Sequence, residues 1–222
     1  MSEPTVVPPG GGEVIGDSPD RRVEILGEDD ALHVTWSRFA AGRDGADPHI
    51  HRLHADIFYV LAGELTVRLG HEDRAVIVPS GRFACVPPLV VHGFRNASDE
   101  EVRYLNFHAP GAGFADYMRG LREGEKVPFD QEDPPDDGTR PASDATIGDR
   151  VEADAITIDV LAQPQDVDTA AFRAYYVLEG ELVVGGVPAL TGTWVQMPRG
   201  VAHTVELPEP ARYLAVSSRA RA

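Results

Sequence analysis

A single cysteine, Cys85, stands among the 222 residues. One thiol cannot build an internal disulfide framework or a multi-cysteine zinc site. Basic charge is scarce as well: 20 basic residues face 36 acids, a formal net charge of −16 at pH 7. Phosphate backbones are bound by a basic stripe, and none is visible, so no nucleic-acid partner is expected. The same acidic excess is repelled by anionic membrane faces. No apolar run approaches the ~20 residues that span a bilayer, so no membrane partner is expected either. The stretch from Met1 to Gly12 lacks the basic and apolar regions of a secretory signal. The expected location is therefore cytoplasmic. Long helical patterns are also missing. No ten-residue helical period separates the strand-like runs, which excludes a parallel α/β sheet.

What is there is β texture. Short apolar, β-branched and aromatic runs recur every eight to twelve residues, among them VEIL (23–26), LHVTWSRF (32–39), IFYVL (57–61), LTVRL (65–69) and VRYLNFH (102–108). The 22 glycines and 18 prolines fall largely between them. That spacing predicts an all-β sandwich or barrel. One amphipathic helix is expected over 113–124, where Phe114, Tyr117, Met118 and Leu121 make a single stripe that packs against the barrel. Residues 128–146 carry proline and acid with little apolar content and read as a solvated connector.

The strand texture then returns, with an internal echo. Phe58 to Leu65 (FYVLAGEL) matches Tyr175 to Leu182 (YYVLEGEL), and Gly81, Pro87 and His92 match Gly192, Pro198 and His203 at identical spacing. The expected organisation is one β domain over 13–112, a helix and linker over 113–146, and a second β domain over 147–222.

Chemistry concentrates in the first copy. Three of the eight histidines, His49, His51 and His54, fall within six residues, and Asp56 follows two further on. His49 and His51 are i, i+2, so an extended chain points both to one face. His92 lies on a later strand-like run. If these strands close on themselves, two or three imidazoles and one carboxylate converge on one point. That donor set suits one divalent transition metal: Fe, Mn, Ni, Zn or Cu.

These residues carry a family resemblance. His49-x-His51, four residues, Asp56, six residues, Gly63 is similar to the first motif of the cupin superfamily. Gly81, five residues, Pro87-x-Leu89, two residues, His92, three residues, Asn96 is similar to its second motif. The resemblance covers about 23–112, with a weaker copy over 150–218. It implies two small jelly-roll barrels, and a metal held by His49, His51, Asp56 and His92. Two positions depart from the pattern. Asp56 replaces the usual Glu, and so either ligates with a small shift, leaves a three-histidine site with an added water, or acts as a base. Leu89 replaces the usual Gly and alters a turn.

In the second copy, Asp166, Asp168 and Arg173 stand at the positions of His49, His51 and Asp56, and only His203 survives. A fixed positive charge at Arg173 opposes a metal, so that copy is expected to be degenerate and structural. One intact and one degenerate barrel resemble the quercetinase-like bicupins. The resemblance implies a metal-dependent oxygenase, dioxygenase-like, acting on a small enolic, aromatic or polyketide-like substrate. Asp56 would serve as general base, its pKa raised by an apolar barrel. A metal-assisted isomerase, cyclase or decarboxylase, and a non-catalytic ligand-binding barrel, are the alternatives. The expected substrate pocket is lined by His54, Phe58, Val60, Phe83, Cys85, Val90 and Phe94. His54 reads as a supporting hydrogen-bond partner or an exposed loop residue ahead of a substitute ligand, His108 as cavity-lining or surface, and His33 and His71 as ordinary strand and hairpin positions. A homodimer is expected from the habit of such barrels to pair through sheet edges.

Overall fold

Alternating β-branched and aromatic residues form strands because their side chains pack on a pleated surface, and glycine-rich breaks end each one. A computed structural model of the protein describes residues 3–72, 74–153, 156–167 and 171–218. In chain order its elements are β1 (Thr5–Val7), β2 (Glu13–Ser18), β3 (Arg21–Asp29), β4 (Leu32–Phe39), β5 (Ala55–Ala62), β6 (Glu64–Leu69), β7 (Arg74–Pro79), β8 (Phe83–Val86), β9 (His92–Arg95), β10 (Val102–Ala109), α1 (Phe114–Glu123), β11 (Thr146–Gly148), β12 (Arg150–Glu152), β13 (Ile156–Leu161), β14 (Gln165–Val167), β15 (Arg173–Glu179), β16 (Glu181–Val184), β17 (Val187–Leu190), β18 (Trp194–Met197), β19 (His203–Glu206) and β20 (Arg212–Ser218). The all-β expectation holds, with a single α-helix among the described residues.

Two compact units divide the chain. The first, Glu13–Asp149, is a β-sandwich of a seven-stranded sheet, β11-β8-β5-β10-β4-β3-β2, and a three-stranded sheet, β7-β6-β9. The second comprises Met1–Gly12 and Arg150–Ala222, with a six-stranded sheet, β1-β18-β15-β20-β13-β12, and a four-stranded sheet, β14-β19-β16-β17. The two strand orders correspond element for element, β8-β5-β10-β4-β3 to β18-β15-β20-β13-β12, in line with the sequence echo.

The unit boundaries differ from those read in the sequence. The helix and the acidic segment 113–146 fall within the first unit rather than between units. Two contacts explain this. Ala115 and Met118 of α1 bury into the first core. β11, beyond the acidic segment, pairs with β8 from Thr146↔Cys85 to Gly148↔Phe83.

Register sets which side chains face the first unit's interior. Asp56, Phe58 and Val60 on β5 stand opposite His108, Asn106 and Tyr104 on β10. Those stand in turn opposite His33, Thr35 and Ser37 on β4. Because side chains alternate with period 2, these rows share one concave face. Its far part is dry core, with Phe58, Val60, Leu65, Val67, Val78 and Tyr104 buried. Its near part carries the polar groups described below.

Gly63 makes the turn from β5 in one sheet to β6 in the other at φ +74, where an added Cβ would lie 2.5 Å from the Glu101 carbonyl oxygen. A left-handed conformation alone costs a side chain about 1–2 kcal/mol. With the backbone clash added, Gly63→Ala is expected to destabilise the first unit by at least about 2 kcal/mol, read as a lower urea midpoint at unchanged slope.

Candidate metal centre

The two histidine-bearing segments are joined by backbone before any side chain is considered. His49 and His92 form an antiparallel bridge, with His49 N–H donating to the His92 carbonyl at 2.8 Å and His92 N–H to the His49 carbonyl at 2.9 Å. Leu89 N–H donates to the His51 carbonyl at 2.7 Å, which holds the turn before His92 against the histidine loop. Leu89 takes φ +67 to do so, a left-handed conformation that explains why glycine suits this position. Asn96 pins the far side, its Nδ2 donating to the carbonyls of Phe39, Ala40 and Glu100.

His49, His51, Asp56 and His92 come together, all buried, with one donor atom from each within 4.8 Å of the others. Each imidazole is oriented by the backbone. Nδ1 of His49 meets the Asp47 carbonyl at 2.7 Å, Nδ1 of His92 meets the Val90 carbonyl at 2.9 Å, and Nδ1 of His51 meets the Asp130 carbonyl. A carbonyl accepts only, so each Nδ1 carries the proton and each Nε2 presents a lone pair. The Nε2 atoms of His49 and His51 are then 3.2 Å apart, two acceptors with no proton between them. A cation shared by both relieves that contact. This is the arrangement metal-bound histidines adopt, with the second ring nitrogen anchored on a carbonyl.

Asp56 is held by Asn106, whose Nδ2 donates to Oδ1, and lies 3.2 Å from His92 Nε2 through Oδ2. Burial works against its charge, but His108, His92 and His51 outweigh it and hold the carboxyl below the usual carboxylate range. The raised pKa expected for a general base is therefore not found, because imidazoles surround Asp56 rather than apolar walls. Burial pushes His49 down to about 4 and His51 to about 3, so both are neutral ligands at ordinary pH.

A cavity of about 250 Å³ opens over His49, His51, Asp56 and His108. Polar Thr35, Ser37 and Asn106, aromatic Phe39, Phe94, Tyr104, Phe114 and Tyr117, and the guanidinium groups of Arg21 and Arg43 line the rest. Of the lining expected from sequence, Phe94 borders this cavity, and His54, Phe58, Val60, Phe83, Cys85 and Val90 do not border it. Phe58 packs behind Phe94 at 4.9 Å, and with Val60 and Val90 it belongs to the dry core. Phe83 and Cys85 pair with Tyr59 and Ile57, on the sheet face opposite Asp56. Burial pushes the Cys85 thiol up to about 12, which makes it inert filler. His54 is fully buried behind His51, ring centroids 4.0 Å apart, rather than on the cavity wall or in an exposed loop.

Of the two places open to His108 the structure has the cavity-lining one, and Asn106, Phe129 and Asp130 are site residues that the sequence reading did not name. His108 lines the cavity with Nε2 3.6 Å from Asp56 Oδ1, and Asn106 fixes the carboxylate. Both share the parity of Tyr104 in VRYLNFH, and that alternation was the available signal. Phe129 and Asp130 come from the segment read as a solvated connector. Asp130 accepts the backbone N–H groups of Arg52 and Leu53 at 2.9 and 2.7 Å. Burial opposes its charge, but those two N–H groups and His54 hold its pKa down. Phe129 stacks on Tyr117 and stands 5.6 Å from His51. The one aromatic in that acidic stretch was the signal.

Residues 35–108 match the family described as the cupin domain. Over this segment the chain is similar to the cupin domain. All four clustered donors lie inside it, and β-sandwich relatives of the cupin fold share the chain's architecture. The protein Ylba from E. coli superposes with a TM-score of 0.71 at 13% identity, over 99% of this chain and 92% of its own. The bacterial pirin YhhW from Escherichia coli, in complex with nickel(II), gives 0.66 at 14%, over 97% and 98%. Salicylate 1,2-dioxygenase from Pseudoaminobacter salicylatoxidans, in adducts with gentisate, gives 0.65 at 13%, over 97% and 81%. At these identities the likeness concerns the cupin fold alone. No curated protein matches the chain.

In the second unit His203 is buried with Nε2 2.7 Å from the Tyr175 hydroxyl and Nδ1 2.9 Å from the Val201 carbonyl. A phenol therefore occupies the side where a metal would sit. Asp166 is exposed on β14, and Asp168 lies outside the described residues. No further gathering of three metal-ligating side chains occurs among the described residues of this unit. No helix of the structure is long and apolar enough to cross a membrane.

Proposed function

We propose that the protein is a two-cupin, metal-dependent oxygenase whose first unit acts on a small enolic or aromatic substrate and whose second unit is a degenerate copy. The observation that carries the metal is the facing pair of bare Nε2 lone pairs, His49 and His51, 3.2 Å apart beside the Asp56 carboxylate. When bound, a redox-active ion there supplies Lewis acidity and a place for O2 and substrate to meet. His49, His51, Asp56 and His92 would hold it at the edge of the cavity. Asn106 keeps the Asp56 carboxylate oriented as a ligand. Phe94, Tyr104, Phe114 and Tyr117 give the cavity aromatic walls suited to a flat ring. Thr35, Ser37 and Asn106 offer hydrogen bonds to its oxygens, and Arg21 offers a charge to a carboxylate or enolate. The cavity, about 250 Å³, is smaller than the ~300–1,000 Å³ of drug-sized pockets and favours a one-ring compound over a flavonoid.

The test is oxygen consumption by protein loaded separately with Fe(II), Ni(II) and Mn(II), against hydroxylated benzoates, β-diketones and flavonols. One O2 consumed per substrate lost, with hydroxybenzoates or diketones ahead of flavonols, is the expected result. Turnover that persists under nitrogen overturns the oxygenase reading in favour of a metal-assisted isomerase, cyclase or decarboxylase. Bound ion with no turnover in either atmosphere favours a ligand-binding module.

A further inference from the structure

Behind the first set of donors lies a second gathering that the cupin pattern does not use. His51, His54 and His108 each offer a ring nitrogen, and the three atoms lie within 4.8 Å of one another. All three residues are buried, His54 completely. Nε2 of His54 and Nδ1 of His108 have no hydrogen-bond partner among the described residues. A buried polar atom left unpaired costs about 1–3 kcal/mol. Two of them beside the His51 imidazole make a pocket of lone pairs that a cation satisfies.

The surroundings fit an ion better than an organic ligand. The Phe114 ring stacks on His108 at 3.7 Å and Phe129 stands 5.2 Å from His54, so the space between the imidazoles is tight and walled by apolar rings. Asp130 Oδ2 lies 2.9 Å from His54 Nδ1, and its negative charge favours the proton on that nitrogen, which leaves Nε2 as the donor. The Asp130 carbonyl does the same for His51. One aspartate thus presets two of the three imidazoles. His51 belongs to both donor sets, yet with Nδ1 protonated it has one lone pair, enough for one ion at a time.

We propose that His51, His54 and His108 form a second seat for a divalent d-block ion, alternating with the seat made by His49, His51, Asp56 and His92. This rests on the metal reading of the first set. Three neutral imidazoles without a ligating carboxylate suit zinc, cobalt, nickel or copper. The second seat is the minor one in the unaltered protein, because it lacks the charge of Asp56. It is occupied when the first is damaged.

Cobalt(II) is the probe, followed by equilibrium dialysis and by its visible absorption. The unaltered protein is expected to take one Co(II) per chain. His92→Ala is expected still to take one, with affinity reduced about 10- to 100-fold and the absorption bands shifted. Adding His54→Ala or His108→Ala to that variant is expected to cost a further ~100-fold, while adding His71→Ala, on the exposed hairpin, costs nothing. Hyperfine-shifted imidazole signals in the His92→Ala protein should be lost one by one with His54 and His108. If the protein with His92→Ala fails to fold by circular dichroism, His49→Ala takes its place. Equal affinity in the His54, His108 and His71 combinations overturns the second seat, and two ions per unaltered chain overturn the alternation. No Co(II) uptake by the unaltered protein removes the first set, and the second with it.

Discussion

His51→Ala is expected to strip the protein of its metal. The side chain is a donor in the first set and the only member shared with the second, so its loss damages both seats at once. Removing one donor of four from a site worth on the order of 10–16 kcal/mol costs about 3 kcal/mol, or ~10²-fold in affinity. Damage to the alternative seat adds to this, and the expected fall is ~10³-fold or more. The fold should persist. His51 sits in the loop before β5, outside the strand pairing, and the core behind it is built from Phe58, Val60, Leu65 and Val67. Elemental analysis after dialysis, beside a circular dichroism spectrum, reads both outcomes. A folded His51→Ala protein that keeps its full complement of ion would disprove the assignment.

The metal-free protein is expected to lose stability steeply between pH 6.5 and 4. Burial pushes His33 and His51 down to about 3 and His49 to about 4, and it lowers His54 and His108 as well. An unfolded histidine takes a proton near pH 6.5. Above that pH both states are neutral and the shifts cost nothing. Below it the unfolded chain binds protons that the folded chain refuses, so each group withdraws about 1.4 kcal/mol of stability per pH unit until the pH reaches its folded pKa. By pH 4.5 three such groups withdraw roughly 8 kcal/mol, against a typical total of 5–15 kcal/mol. His33 contributes from outside both donor sets, so the effect does not hinge on the metal reading. An ion that binds neutral imidazoles of the folded state should push the acid midpoint downward. Urea midpoints at pH 7.5, 6 and 4.5, with and without Zn(II), measure this. A midpoint that stays flat across that range would mean the histidines are far better solvated than their burial implies.

The part of the fold that alternation encodes was legible. VRYLNFH and ADIFYVLA fix their own registers, and the repeat of YVLxGEL marks corresponding strands in both units. The gathering of His49, His51, Asp56 and His92 was legible for the same reason: His49 and His51 keep one parity, and strands closing on themselves bring His92 to them. Parity also explains the errors. Phe83 and Cys85 were given the face of Ala84 and Val86, and a one-residue shift in a strand reverses every side chain. The acidic segment was misread because composition describes its average and not Phe129 or Asp130, whose partners in the His51–His54 loop lie 75 or more residues away in the chain. The elevated pKa imagined for Asp56 failed because the sequence does not reveal that His108 and Asn106 flank it.

That acidic segment has a consequence for anyone transplanting this chemistry. The matched stretch 35–108 contains every first-set donor, yet the carboxylate and carbonyl that steady His51, His54, Arg52 and Leu53 all belong to Asp130, and Glu132 bridges to Ile50. Two proteins identical across the matched stretch but different after the helix would therefore present the same imidazoles with different rigidity. Grafting residues 49–54 onto another scaffold would require residues 129–132 to travel with them.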